Sequence, residues 1–249
     1  MRVIPASRSQ MYISWSLEGD TFTVSRSTSP TGEFEVIAEG VEQPFVIDPK
    51  VDQYDYNVRY YYKVEGYVNG AVVATDGPGT IQYNQPDGLA DKVIYEYAIA
   101  LKMMNNPPVF FLLKKRTGGY CPDCWNTITN TVKYANCPTC HGTGRLSGYH
   151  PPIKTRISQN ISQLIMTSGE EDSDKTSLTP VEAWIGNMPL LTPEDIMVDI
   201  MDQRYKIVSV APRTKSQYVL RQIIQLAPLE KGHPAYNVEV DREASYPWQ

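Results

Sequence analysis

Tyr60-Tyr-Tyr-Lys-Val64, followed by Asn69-Gly70, is the stretch that decides the fold class of this chain. A run of aromatic and β-branched side chains suits the pleated, half-buried surface of a strand. Its alternation places Tyr60, Tyr62 and Val64 on one face. Asn69-Gly70 supplies two residues that tolerate positive φ, which a tight hairpin turn requires. Toward the N-terminus the pattern recurs in Met11-Tyr-Ile-Ser-Trp15, Phe22-Thr-Val24, Phe34-Glu-Val-Ile37 and Phe45-Val-Ile47. Gly19-Asp20, Pro30-Thr-Gly32, Gly40 and Asp48-Pro49 separate these segments. Short strands at such spacing predict a β-sandwich over residues 1–84.

The same residues resemble the fibronectin type III family. The likeness covers about a third of the chain. It rests on Trp15, Ser25-Arg-Ser27, Gly32-Glu-Phe34, the turn at Asp48, and Tyr60 to Val64. It implies a tryptophan filling the space between two sheets. It also implies a tyrosine near the sixth strand that bonds back to the backbone, a role that Tyr60 fits in register. Modules of this family bind partners or space other domains, so the fold alone names no function.

A length of 249 residues predicts two domains and a third small one. At 41% hydrophobic and 20% charged, the composition is that of globular material, with no apolar run long enough to span a membrane. The opening MRVIPASRSQMYISW has no apolar block before a small-residue cleavage site, so synthesis and retention in a reducing cytoplasm are expected. A net charge of −5 argues against nucleic-acid binding over the whole surface and leaves room only for a local basic patch.

Residues 85–117 read as a helix and a strand. After the break at Asn84-Gln-Pro-Asp-Gly88, the residues Ile94, Tyr97, Ala98, Leu101 and Met104 recur at helical spacing until Asn105-Asn-Pro-Pro108. Lys102 and the acidic positions do not make this a membrane-surface helix. Val109-Phe-Phe-Leu-Leu113 predicts a buried strand running into Lys114-Lys-Arg116.

From residue 150 to 249 short strands predict a small β-barrel. They are a run through Ile153, Ile157 and Ile161, then Gln163–Met166, Ala183–Ile185, Ile196–Ile200, Arg204–Val210 and Tyr218–Leu226. Gly169-Glu-Glu-Asp-Ser-Asp174 lacks the glycine and closing glutamate positions of a calcium loop and reads as solvated. Leu191-Thr-Pro-Glu-Asp195 reads as a turn or single helical turn capped by Thr192.

Between these parts, residues 118–149 hold all four cysteines, as Cys121-Pro-Asp-Cys124 and Cys137-Pro-Thr-Cys140. Each C-x-x-C bend turns two sulfurs toward one point, and two such bends supply the four thiolates that zinc prefers. The intervening residues 125–136 are enough for a hairpin that brings the pairs together. A redox pair would need one C-x-x-C, and disulfides suit a reducing compartment poorly, so a structural zinc site is expected, with iron the other metal considered. Four thiolates leave no open position, which makes the metal non-catalytic. His141 is expected beside the metal or facing solvent rather than ligating it. Lys114, Lys115, Arg116, Lys133 and Arg145, with Tyr120, Trp125 and Tyr134, would suit nucleic-acid stacking, or the rings would cover a tiny domain. The latter is the expected reading.

Cys137-Pro-Thr-Cys-His-Gly-Thr-Gly144 resembles the C-x-x-C-x-G-x-G zinc repeats of the DnaJ chaperones, but only over the knuckle. The order of parts resembles a family of tailed-bacteriophage virion proteins of the neck, where head meets tail. The likeness runs over roughly residues 85–240. It rests on Gly118–Trp125, Cys137–Gly144 and Gly148–Ile153, then on Leu191–Asp195, Asp202–Val208, Arg221-Gln222 and Gly232–Tyr236.

That resemblance implies a head–tail connector or head-closure protein with a barrel. It would assemble as a homo-oligomeric ring among neck, portal-side and tail proteins, with incidental contact to packaged DNA. Neither a membrane nor a small-molecule substrate enters this expectation. No nucleophile elbow, phosphate loop or His-Glu-x-x-His motif occurs, so no enzymatic activity is expected. The alternatives are a tail or baseplate protein, a cytoplasmic zinc-ribbon adaptor that binds nucleic acid, and, with least support, a hydrolase.

Overall fold

A computed structural model describes residues 1–51, 58–81, 86–159 and 180–243. Ile161, the segment 163–166, the acidic loop 169–174 and Asn84-Gln85 lie outside them. The chain is mainly β, with one α-helix among the described residues. It divides into two compact units: residues 1–93 with 115–120 and 214–219, and the remainder.

Seven strands build the sandwich. These are β1 (Arg2–Ser7), β2 (Gln10–Ser14), β3 (Thr21–Ser27), β4 (Glu35–Val41), β5 (Phe45–Asp48), β6 (Tyr61–Val68) and β7 (Ala71–Gly79). They form a three-stranded sheet β1-β2-β5 and a four-stranded sheet β4-β3-β6-β7. β1, which carries Pro5, has no counterpart among the segments expected from the sequence. It lies at a sheet edge, where a missing N–H is tolerated, and its pairing slips between Pro5 and Ser7. The turn between β6 and β7 places Asn69 at φ 51° and Gly70 at φ 77°, as the Asn-Gly signal requires.

Met11, Ile13, Trp15, Phe22, Val24, Tyr62 and Val64 make the core, with Trp15 set edge-on to Phe22 at 5.2 Å. Each such side chain contributes about 1.5–3 kcal/mol by leaving water. The bonded tyrosine differs from expectation. Tyr62 is fully buried, and its hydroxyl donates to the Asp48 carboxylate at 3.0 Å. Tyr60 shares that face but is half-buried beneath the Arg26 guanidinium, 5.5 Å from its ring centre. Asp48 also accepts from Arg26 Nη1 at 3.0 Å and from the Lys50 amide at 3.0 Å, so a buried charge is held by three groups.

The helix α1 (Gly88–Met103) begins at Asp87, whose Oδ1 accepts from the amides of Leu89 and Ala90. Ala90, Ile94 and Leu101 are buried and Tyr97 half-buried. Ala98 and Met104 are exposed, contrary to expectation, because the buried stripe follows a narrower face and the helix ends before Met104. No helix among the described residues is long and apolar enough to cross a membrane.

The second unit is organised by a six-stranded sheet. Its strands are β8 (Val109–Leu112), β11 (Ile153–Thr155), β12 (Val181–Ile185), β13 (Ile196–Val198), β14 (Arg204–Lys215) and β15 (Tyr218–Pro228). Their order is β11-β8-β13-β14-β15-β12. A bridge joins Ile157 to Ile185, and the Ser158 amide donates to Trp184 O at 3.0 Å, so the sheet curls until its two edge strands meet. The result is a partly closed barrel. β13 stops earlier than expected because Asp199 turns the chain, its Oδ1 accepting from the amides of Met201 and Gln203. The segment 191–195 is a turn, but Thr192 is not its cap. Buried Asp195 accepts from both the amide and the hydroxyl of Thr192.

Candidate metal centre

The knuckle is inserted between two neighbouring strands. β8 and β11 pair antiparallel, and the chain between them leaves and returns through a bridge of Lys114 with Tyr149. The His150 amide donates to Leu113 O at 2.9 Å just beside it. A short hairpin, β9 (Trp125–Asn126) with β10 (Thr131–Val132), then places the two cysteine pairs side by side. The Lys133 amide donates to Cys124 O at 2.8 Å, and the Cys121 amide to Gly144 O at 3.0 Å. Thr139 Oγ1 donates to the Asp123 carboxylate, which links the two C-x-x-C turns outside the sulfur cluster.

All four sulfurs lie within 4.8 Å of one another, and all four cysteines are buried. Cys121 and Cys137 sulfurs are 3.7 Å apart, and those of Cys124 and Cys140 are 3.2 Å apart. Both separations exceed a disulfide bond of about 2.05 Å. Tetrahedral zinc thiolate with bonds of about 2.3 Å sets its sulfurs about 3.8 Å apart, so a small adjustment of these side chains accommodates such an ion. The cluster is therefore compatible with a metal site.

Burial opposes ionisation of Cys137, but the amides of Cys140 and Thr139 outweigh it and bring the thiol down to about 7. Burial and the neighbouring sulfurs push the Cys124 thiol up. A divalent cation would remove this conflict by stabilising all the thiolates together.

Among the described residues, Val132 is the one partly buried hydrophobic side chain packed against the sulfurs. Gly142 and Gly144 take φ of 79° and 78°, so the turn leaving the cluster uses the left-handed region. A Cβ on Gly144 would lie 2.8 Å from Val132 and 3.1 Å from the Trp125 ring. Trp125 thus packs against Gly144, while the rings of Tyr120 and Tyr134, expected to cover the small domain, are exposed. The Tyr134 hydroxyl donates to Asp123 O at 3.2 Å.

No family model matches the chain, and no curated protein or solved structure matches it.

His141 lies outside the sulfur group. Its Nδ1 is buried with no hydrogen-bond partner, and its ring centre lies 6.5 Å from that of Tyr149. The basic and aromatic residues considered for stacking divide between the units: Lys115, Arg116 and Tyr120 fall in the first, while Lys114, Trp125, Lys133, Tyr134 and Arg145 belong to the second. Lys114 is engaged by Glu194 at 2.8 Å.

Several residues of the barrel resemblance are internal supports. The buried Arg204 donates to the carbonyls of Ala235 and Val238 and stacks 5.2 Å from the Tyr236 ring centre. Gln222 donates to Pro189 O at 2.7 Å and accepts from the Leu191 amide at 2.9 Å. The Arg221 guanidinium sits 4.9 Å from the Tyr97 ring and 5.4 Å from Trp184. The sequence did not reveal these roles, because each partner lies about thirty or more residues away along the chain.

Proposed function

We propose that this chain is a structural protein of a tailed-phage particle, placed at the neck, where copies form a ring between head and tail. Insertion of the cysteine knuckle between adjacent barrel strands carries the reading. Its two ends emerge side by side through the Lys114–Tyr149 bridge, so closing the sulfur cluster stiffens a segment rooted between two neighbouring strands of the barrel. A zinc ion held by Cys121, Cys124, Cys137 and Cys140 supplies that stiffness with almost no apolar core.

In this reading the barrel provides subunit contacts, which in a ring are heterologous and repeat around an axis. The sandwich decorates the outside or binds a neighbouring virion protein. The metal is structural and the chain performs no catalysis. Made in the host cytoplasm, it ends in the virion beside portal-side and tail proteins, touching packaged DNA only incidentally.

Labelling the protein in purified particles tests the placement. Label at the head–tail joint, in stoichiometric amount, is the expected result. Label at the distal tail end would replace the neck by a tail or baseplate position. Absence from particles, together with strongly salt-dependent DNA binding, would favour the zinc-ribbon adaptor.

A further inference from the structure

A cavity of about 580 Å³ opens within the second unit, where the knuckle meets the barrel. The knuckle side carries Asn136 and His141, the barrel side Glu194 and Lys206, and the segment after β15 Leu229 and His233. Its volume suits a small organic molecule rather than a single ion or water.

The wall holds hydrogen-bond donors that the fold leaves unspent. Tyr149, at the Lys114 bridge, is only 8% exposed, and its ring belongs to the same apolar cluster as Ile196 and Ala235. Yet Tyr149 lines the cavity, and its hydroxyl has no hydrogen-bond partner among the described residues. His233 accepts from the Ala235 amide through Nδ1 at 3.1 Å, which puts the proton of the neutral ring on Nε2. That N–H has no partner among the described residues either. Burial holds the His233 ring below its ordinary pKa, so the neutral form prevails at neutral pH. Lys206 meets an acid only at a distance. Its Nζ lies 3.9 Å from Glu194, which Lys114 engages at 2.8 Å.

These groups set the class of ligand. Lys206 and the two N–H and O–H donors call for an anionic acceptor. Lys114 and Lys206 are matched by Glu194 and Glu230 on the same wall, which favours one negative charge over several. Ile196, Leu229 and Pro234 offer apolar surface to the rest of the molecule. We propose that this cavity binds a small monocarboxylic acid with an apolar body, its carboxylate accepting from Lys206, His233 and Tyr149. The site uses none of the cysteine sulfurs and is independent of any placement in the neck.

Titration of the full-length chain with hexanoate, 1-hexanol or inorganic phosphate, followed through the amide shifts of residues 149 and 229–233, tests the proposal. Hexanoate should saturate in the millimolar range and bind about tenfold more tightly than either of the others. K206M should weaken it about tenfold, as expected for a lost charge-assisted hydrogen bond, and Y149F about threefold. Neither polar group has a close partner in the fold, so both variants should melt with the wild type. Failure of hexanoate to saturate, or 1-hexanol or phosphate binding as tightly, would overturn the proposal. So would a hexanoate affinity that either substitution leaves unchanged.

Discussion

The sandwich and the knuckle reach order by opposite routes. In the sandwich, Met11, Ile13, Trp15, Phe22, Val24, Tyr62 and Val64 leave water together, and buried Asp48 is held by Arg26, Tyr62 and Lys50. In the knuckle the buried cluster is four sulfurs with Val132 beside them. Apolar area stabilises the first in small increments spread over many residues. The second is gathered around one buried centre, the sulfur cluster. The contrast teaches that a β-protein can carry a rigid element of about thirty residues without enlarging its core, provided a metal substitutes for it.

The largest effect should come from removing that centre. Cys137→Ser should cost on the order of 10 kcal/mol at the metal site and disorder residues 121–149, leaving the thermal transition of the sandwich in place. Hydrogen exchange beside a thermal melt reads both. Simultaneous loss of the two regions would break the comparison. The converse substitution is Trp15→Ala, expected to cost about 3–5 kcal/mol in the sandwich while metal content stays constant.

Smaller changes sharpen the contrast. Tyr62→Phe removes one of the donors to buried Asp48 and should cost about 1–3 kcal/mol in chemical denaturation. Burial, then the Asp48 charge, push the Tyr62 phenol above its ordinary range, so absorbance titration should find it un-ionised when exposed tyrosines have already titrated. Asp87→Ala should be milder, at about 1 kcal/mol for a lost helix cap. Lys215, then the Ala90 amide, hold the Asp87 carboxyl down at about 2. A depressed carboxyl stabilises the fold above its unfolded value near 4. That contribution should fade as pH falls from about 4 to about 2, and should be missing from the acid titration of the variant.

The legible parts of the fold were those written in local pattern. Alternation gave β2 to β6, Asn69-Gly70 gave the sixth-to-seventh-strand hairpin, and the paired C-x-x-C turns identified the residues that meet as one sulfur cluster. Other features depend on position in the tertiary structure. Pro5 hides a strand because the sequence does not show which strands are edges. Ser216 carries φ 53° between β14 and β15 with no glycine to announce the turn. Asp195, rather than Thr192, holds its turn because a burial that is set at long range decides which polar group becomes the acceptor.

X-ray absorption at the zinc edge, on protein purified without chelator and assayed for metal, tests the central claim most directly. The account predicts about one zinc per chain with four sulfur neighbours at about 2.3 Å and no oxygen or nitrogen. A yield far below one metal per chain, or a shell with fewer sulfurs and a light-atom ligand, would contradict a closed structural site.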